Sequence, residues 1–286
     1  MTENQTLSKT CKNMSKVIYL GNKYEISHRL CKGSFGRVFL GKNLLTDEKV
    51  VVKIVKKRDK NSRKDIDHRI MRDVEIPKII EHPNIIQVID FMTDHNYFYI
   101  IYPYIPFAVS LAQIKKSQFN FTDPNTMKHM IEMLCQITRA IEYMHSKMVV
   151  HRDIKPDNII ISRDLAILID FDLAFVIDDV RFPALRSAGT PNYMAPEIWR
   201  RDDNIDYKLT DIYSFGVTLY YIFNKKKLPY KATKIEDLEY QIRNARPLKS
   251  NSGFIILDKL IMSLINKNPM KRPTMDKTRD ILMKLI

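Results

Sequence analysis

The sequence of 286 residues contains little cysteine and no long apolar run. Its three cysteines, Cys11, Cys31 and Cys135, are widely spaced, which argues against a disulfide framework and against a zinc site. We therefore expect a reducing compartment, the cytosol or the nucleus. No apolar stretch reaches the roughly 18 residues that a membrane span needs. Residues 1–16 contain no apolar segment that resembles a signal peptide.

Negative charge is also scarce, because 33 Asp and Glu residues stand against 47 Lys and Arg residues, for a formal net charge of +14. Such an excess favours acidic partners through long-range attraction. The densest basic block, residues 56–72, is typical of a solvated loop and helix face, and docking of an acidic partner there is the alternative. We do not expect nucleic acid binding, because the block lacks the interleaved aromatic residues of a stacking platform.

The composition that remains is that of a globular protein, with 45% hydrophobic and 28% charged residues. From Tyr24 onwards, short β-rich runs alternate with turn residues, and a helix is predicted over residues 66–81. Two more strands are predicted near residues 85–91 and 97–102. Residues 1–23 show no clear periodicity, so we expect a loose extension there.

Helical patterns dominate after residue 104, and the clearest of them runs from Asp123 to His145. Asp123 is a good N-cap, and Pro124 suits the first helical position. Apolar residues then recur at three- and four-residue spacing, which predicts one buried face. Three further helices are predicted over residues 208–223, 253–266 and 274–285.

Three short motifs carry the chemistry. Residues 151–158 read His-Arg-Asp-Ile-Lys-Pro-Asp-Asn, residues 170–172 read Asp-Phe-Asp, and residues 195–197 read Ala-Pro-Glu. In this order and spacing they resemble the catalytic loop, the metal-binding motif and the end of the activation segment of eukaryotic-type protein kinases. Each motif alone is a weak signal, whereas the three together are specific for the family.

The rest of the chain adds to the resemblance. Residues 32–38, Lys-Gly-Ser-Phe-Gly-Arg-Val, lie between two predicted strands, as the phosphate-covering loop of kinases does. Residues 50–53, Val-Val-Val-Lys, resemble the strand that carries the ATP-binding lysine. Glu75 precedes the sequence His-Pro-Asn-Ile at the distance of the helix C glutamate. Residues 211–216 resemble the buried motif of helix F, and Arg272 resembles the arginine that pairs with the glutamate of Ala-Pro-Glu.

The resemblance implies an α+β fold class, the bilobal protein kinase fold, with a small β-rich N-lobe that includes helix C and a larger helical C-lobe. The implied kinase domain covers residues 24–286. Its N-lobe would span about 24–102, its hinge about 103–106 and its C-lobe about 107–286. Almost no chain is left for a second domain.

Catalysis of phosphoryl transfer depends chiefly on positioning and on electrostatic stabilisation. The resemblance implies that Asp153 accepts the proton of a substrate hydroxyl and that Lys155 neutralises charge on the transferred phosphate. It also implies that the oxygens of Asn158 and Asp170, which are hard ligands, hold Mg²⁺.

The implied contacts to ATP come from the phosphate loop, the strand lysine and the hinge. Lys53 would reach the α- and β-phosphates and be held in place by Glu75, while Tyr102 would be the gatekeeper beside the adenine. The residues implied in nucleotide binding are Gly33, Ser34, Gly36, Val38, Lys53, Glu75, Pro103, Ile105 and Asn158.

Lys155 and Thr190 resemble the serine/threonine group of kinases, so the expected activity is transfer of the γ-phosphoryl of Mg-ATP to protein Ser and Thr hydroxyls. Two alternatives stay open, a pseudokinase that acts as a scaffold and a kinase of small molecules or lipids. Retention of Lys53 and of the Asp153, Asn158 and Asp170 oxygens argues against a scaffold. The peptide-docking segment, residues 189–197, argues against a small substrate.

The chain departs from the family pattern at three positions. Cys31 stands where the first glycine of the phosphate loop is usual, Val51 replaces a small alanine over the adenine, and Asp172 replaces a glycine. We expect Asp172 to stiffen the turn after Phe171, because Asp tolerates the positive φ that glycine usually serves there.

Control by phosphorylation is implied by Arg152, beside the catalytic aspartate, since this arginine usually pairs with a phosphate in the activation segment. Ser187 is the candidate phosphosite. Arg186 stands where many relatives have Ser or Thr, and it is the alternative means of fixing the loop.

Overall fold

The computed structural model describes residues 17–32, 36–57, 63–118, 120–180 and 188–286, apart from the side chains of residues 32, 63–67 and 116. Contacts between residues divide the chain into two compact units. The described residues of the first unit fall within Met1–Ile66 and Gln87–Ile105, and those of the second fall within Asp67–Ile86 and Pro106–Ile286.

The first unit is built on a six-stranded antiparallel sheet with the order β1-β2-β3-β4-β6-β5. Its strands are β1 (Ile18–Leu20), β2 (Tyr24–Lys32), β3 (Arg37–Asn43), β4 (Lys49–Lys56), β5 (Asp90–Thr93) and β6 (Tyr97–Pro103). One face of the sheet covers a buried cluster that includes Ile26, Phe39, Val52 and Ile101. Buried and more exposed side chains alternate along much of β3 and β4, as expected of strands with one face in the core.

Strand β1 falls inside the region for which the sequence predicts a loose extension. Ile18 pairs with Ile26 and Leu20 pairs with Tyr24, and Leu20 joins the buried cluster. The sequence pattern misses this strand because three residues are too few to show a period. Residues 1–16 lie outside the described part of the chain.

The second unit is mainly helical. Its helices are α1 (Arg63–Ile79, which enters the unit at residue 67), α2 (Pro124–Ser146), α3 (Pro196–Arg200), α4 (Tyr207–Phe223), α5 (Ile235–Asn244), α6 (Ile255–Leu264) and α7 (Met275–Met283). Its short strands are β7 (Val109–Ser110), β8 (Val149–Val150), β9 (Ile159–Ser162), β10 (Leu165–Leu168) and β11 (Phe175–Val176). The predicted α+β class is confirmed.

Helix α2 begins where the sequence predicts. The Asp123 carboxylate accepts a hydrogen bond from the Thr126 backbone N–H at 2.8 Å, and Pro124 occupies the first turn. Loss of such an N-cap costs about 1 kcal/mol. Ile131 and Ile137 of the predicted apolar face are fully buried. This helix therefore contributes one buried face to the core of the second unit.

Helix α4 is buried on nearly every side and packs closely against α6. A Cβ atom at Gly216 would lie only 2.6 Å from the Cβ of Leu264, so a larger residue would push the two helices apart. None of the helices in the described ranges combines the length and the apolar character that a membrane crossing requires.

Elements other than β1 also differ from the sequence predictions. The strand predicted over residues 85–91 is present only from Asp90, because Ile85 forms an isolated bridge to Leu168 instead. Helix α5 was not predicted, although Leu238 and Ile242 stand four residues apart and are both buried. Its short length makes that signal weak.

Candidate active site

The loop that follows β8 carries the predicted catalytic residues, and α4 fixes its backbone. The buried carboxylate of Asp211 accepts hydrogen bonds from the backbone N–H groups of His151 at 2.9 Å and Arg152 at 2.8 Å. His145 Nε2 lies 2.9 Å from the same carboxylate. Since these bonds satisfy buried donors, they hold the start of the loop in one conformation.

Asp153 lies at the centre of a polar cluster. Lys155 Nζ and Asn158 Nδ2 donate to its Oδ2 at 2.6 and 2.9 Å. The backbone N–H and the hydroxyl of Thr190 donate to its Oδ1 at 2.9 and 2.6 Å. Each carboxylate oxygen thus accepts two hydrogen bonds. The structure thus brings together three predicted residues of the loop and Thr190 of the peptide-docking segment.

Gly189 allows this segment to approach the loop. Its φ is +133°, and a Cβ atom there would lie 2.9 Å from the carbonyl oxygen of Arg152. Only glycine combines this backbone conformation with so close an approach. Thr190 reaches Asp153 for this reason.

Asn158 and Asp170 are suited to hold a metal ion. Asn158 uses Nδ2 for its bonds to Asp153, and its Oδ1 accepts no hydrogen bond from any described residue. The backbone N–H of Ile169 donates to the Asn158 carbonyl at 2.9 Å, which places the backbone of Asp170 one residue from this contact. Magnesium is often held by one or two protein oxygens together with phosphate oxygens and water. These two residues fit that ion.

Phe171 links the predicted metal-binding segment to α1. Its ring is fully buried against the ring of His151, with centroids 4.8 Å apart. Its backbone N–H donates to Asp73 Oδ1 at 2.9 Å. Asp73 is itself fully buried, so this hydrogen bond lies in a low-dielectric environment where it is strong.

Glu75, by contrast, is not brought to this site. Its carboxylate pairs with Lys78 at 2.9 Å, and 39% of its side chain is exposed. The distance from the His-Pro-Asn-Ile sequence selects Glu75, whereas helical periodicity would have selected Asp73. Asp73 shares a spacing of three and seven residues with Ile76 and Ile80, and all three are fully buried.

Asp172 does not occupy the conformation expected of it. The positive φ in this motif, +68°, belongs to Asp170, and Asp172 is not among the residues with positive φ. The expectation that Asp172 stiffens the turn through such a backbone conformation is therefore wrong. Its side chain is 3% exposed, and its Oδ2 lies 3.8 Å from Arg69 Nη1.

Two of the predicted nucleotide-binding residues of the first unit, Val38 and Lys53, lie on β3 and β4. Val38 pairs with Lys53 across these strands, and Lys53 is buried. A Cβ atom at Gly36 would lie 2.8 Å from the Ile54 carbonyl oxygen, so glycine lets the chain lie close to β4. Gly33 and Ser34 fall outside the described residues.

The predicted hinge begins at the end of β6. Pro103 pairs with Val50, and both Pro103 and Ile105 are half-buried. Of the departures from the family pattern, Val51 pairs with the predicted gatekeeper Tyr102, and Cys31 is an exposed free thiol.

The end of the activation segment is anchored by a buried ion pair. Arg272 Nη1 and Nη2 donate to Glu197 Oε1 and Oε2 at 2.5 and 2.8 Å, and the guanidinium lies 5.0 Å from the ring centroid of Tyr213. The Arg272 side chain has no exposed surface. A bidentate pair of this kind holds its two segments in a fixed geometry.

Arg152 lies against two aromatic rings, at 5.6 Å from the centroid of Phe175 and 5.3 Å from that of Tyr207. Burial lowers the pKa of its guanidinium to about 10. Ser187 and Arg186 lie outside the described residues, so the prediction of a phosphosite there stays a prediction.

Comparisons with known proteins agree with this arrangement. The family model described as "Protein kinase domain" matches residues 24–281. A protein of Acanthamoeba polyphaga mimivirus named "Putative serine/threonine-protein kinase" is 49% identical over 249 residues, which cover 86% of this chain and 88% of that protein.

Two cellular relatives are more distant. CBL-interacting protein kinase 26 of Oryza sativa subsp. japonica is 28% identical over 263 residues, 91% of this chain and 52% of that protein. The cell cycle serine/threonine-protein kinase CDC5/MSD2 of Saccharomyces cerevisiae is 31% identical over 288 residues, 96% of this chain and 39% of that protein. The chain spans about half of the first and less of the second.

Proposed function

Because this chain belongs to the protein kinase family and is a serine/threonine-protein kinase, we propose that it transfers the γ-phosphoryl group of Mg-ATP to serine and threonine hydroxyls of proteins. The observation that carries this proposal is the cluster around Asp153. Thr190 Oγ1 donates to Asp153 and accepts from Lys155 Nζ at 2.7 Å, so one hydroxyl joins the base to the cation. A scaffold that performs no chemistry has no need of this arrangement.

The geometry around Asp153 indicates how a substrate hydroxyl enters. An ionised carboxylate offers about four acceptor positions, and Lys155, Asn158 and Thr190 fill them with four hydrogen bonds. The substrate hydroxyl therefore displaces one donor before Asp153 accepts its proton. We expect Lys155 to be the donor that leaves Asp153, because its ammonium group is then available to neutralise charge on the transferred phosphate.

Asn158 and Asp170 would hold the metal ion through Oδ atoms, and Lys53 would orient the nucleotide. When bound, Mg²⁺ neutralises charge on the phosphate oxygens. Asn158 serves two purposes, since its Nδ2 orients Asp153 while its Oδ1 faces away from that contact. The same side chain thereby couples the position of the metal to that of the base.

The helix carboxylate expected at Glu75 is better assigned to Asp73, because Asp73 is buried against Phe171 while Glu75 is half-exposed and paired with Lys78. We expect Asp73→Asn to lower kcat/KM for ATP by roughly 10- to 100-fold, or about 1.4–2.7 kcal/mol. Glu75→Gln, the matched control on the same helix, should stay within about twofold of wild type. Steady-state kinetics below the melting temperature of each variant measures both effects. A larger loss of kcat/KM in Glu75→Gln than in Asp73→Asn would return the assignment to Glu75.

The proposed reaction is tested on an arrayed peptide library with Ser, Thr or Tyr as the acceptor. We expect ATP-dependent phosphorylation of Ser and Thr peptides, and its loss when a chelator removes Mg²⁺. Folded protein that binds ATP but modifies no peptide would favour the scaffold. Modification of Tyr peptides alone would show that the acceptor class is wrong.

The acidic partner predicted for residues 56–72 has limited support. Arg72 in this block is buried, and Arg69 faces Asp172. The side chains of these two arginines therefore make contacts within the second unit. A separate acidic partner would have to contact the other basic residues of the block. That partner, like the compartment, stays a prediction.

A further inference from the structure

One face of α1 carries three charged residues toward the metal-binding segment. Arg69, Arg72 and Asp73 stand at positions i, i+3 and i+4 and therefore lie on the same side of the helix. Arg72 is 2% exposed and Asp73 is fully buried. Charged side chains are buried to this degree only when other groups compensate them.

The chain at Phe171 and Asp172 supplies compensating groups in adjacent positions. The Phe171 N–H donates to Asp73 at 2.9 Å, and the Asp172 carboxylate lies 3.8 Å from Arg69 Nη1. Burial lowers the pKa of Arg72, the charge of Arg69 lowers it further, and the charge of Asp172 opposes both effects. Asp172 thus lies near Arg69, and its charge also favours the charged form of Arg72.

We propose that Asp172 is a positioning residue, whose buried carboxylate attracts Arg69 and Arg72 and so holds Asp73 against the backbone of Phe171. The two contacts have opposite polarity. In the contact with Phe171 the helix supplies the negative group, Asp73, and in the contact with Asp172 it supplies the positive group, Arg69. A glycine at position 172 has no side chain and provides no such attraction.

The inference rests on the proposed kinase activity and extends it, because the position of α1 determines where Asp73 lies. It also gives the two carboxylates different roles, with Asp170 as the metal ligand and Asp172 as a positioning residue. The Asp172 carboxylate faces a guanidinium group, which already supplies the positive charge that a metal would bring.

A double-mutant cycle tests the proposal. Asp172→Asn keeps the size of the side chain and removes its charge, and Arg69→Gln removes the opposite charge. We expect each change to lower kcat by about tenfold and the double mutant to be no worse than either single variant. Lys78→Gln removes a charge from an exposed part of the same helix and should leave kcat unchanged.

Three results would overturn the proposal. Multiplicative losses in the double mutant would show that the two residues act independently. A raised Mg²⁺ requirement in Asp172→Asn, but not in Arg69→Gln, would make Asp172 a metal ligand. Normal kcat in both single variants, with only a lower melting temperature, would reduce the contact to a purely structural one.

Hydrogen exchange of the Phe171 amide gives a readout that does not need activity. In protein labelled with ¹⁵N-phenylalanine, assigned by comparison with Phe171→Leu, we expect this amide to exchange at least tenfold faster in Asp172→Asn and Arg69→Gln than in wild type. Unchanged exchange in both variants would contradict the proposal. If both variants showed the faster exchange but the wild-type protein had no kinase activity, only the proposed function would be contradicted.

Discussion

Asp153→Asn is expected to lower kcat by about 10³-fold, which corresponds to about 4 kcal/mol of barrier. Asparagine keeps the shape of the side chain but no longer accepts a proton, and its amide group cannot accept the bonds that Lys155 and Thr190 now donate to both oxygens. Nucleotide affinity and melting temperature should change little. Turnover with a peptide substrate measures the loss.

The matched control is Asp157→Asn, which makes the same chemical change four residues away on the same loop. Asp157 is exposed, whereas Asp153 is 5% exposed. We expect Asp157→Asn to stay within a few-fold of wild type for most peptides. Equal activity of both variants, in protein free of any contaminating kinase, would remove Asp153 from its assigned role.

Arg272→Met is expected to have the largest effect on stability. It leaves the Glu197 carboxylate buried without its bidentate partner, and breaking a buried pair in this way costs about 3–5 kcal/mol. For a chain of this size each kcal/mol shifts the melting temperature by roughly 2–4 °C, so we expect a fall of roughly 10 °C. Calorimetry or circular dichroism measures it.

Arg243→Met is the control for this loss, because Arg243 and Glu239 form an exposed pair on α5. Such pairs contribute about 0.3–0.5 kcal/mol, or a shift of about 1 °C. Adding Glu197→Met to Arg272→Met should recover part of the stability, since the stranded charge is then gone. Equal shifts for the two single variants would show that burial does not determine the contribution of the pair.

The parts of this molecule that the sequence predicts well are those determined locally. Asp123 caps α2 through Thr126, three residues away, and Lys155 and Asn158 reach Asp153 within one loop. In each case the partners are neighbours in sequence, so residue type and spacing are enough to indicate the contact.

The parts that the sequence does not predict depend on partners far along the chain. Asp73 meets Phe171 across 98 residues, and Asp172 meets Arg69 across a similar distance. Helical periodicity places Asp73 on the buried face with Ile76 and Ile80, but it does not reveal that the partner of Asp73 is Phe171. The expectation for Asp172 was based on the backbone conformations that aspartate tolerates. The structure instead shows a buried Asp172 side chain that lies near Arg69.

The most direct measurement of the central claim uses ATP that carries ¹⁸O in its γ-phosphoryl group. After incubation with Mg²⁺ and Ser- and Thr-containing peptides, mass spectrometry shows where the label goes. The proposed reaction predicts heavy phosphate on Ser or Thr in the wild-type sample and nearly none with Asp153→Asn. Unlabelled peptides from a folded wild-type protein that binds ATP would contradict it.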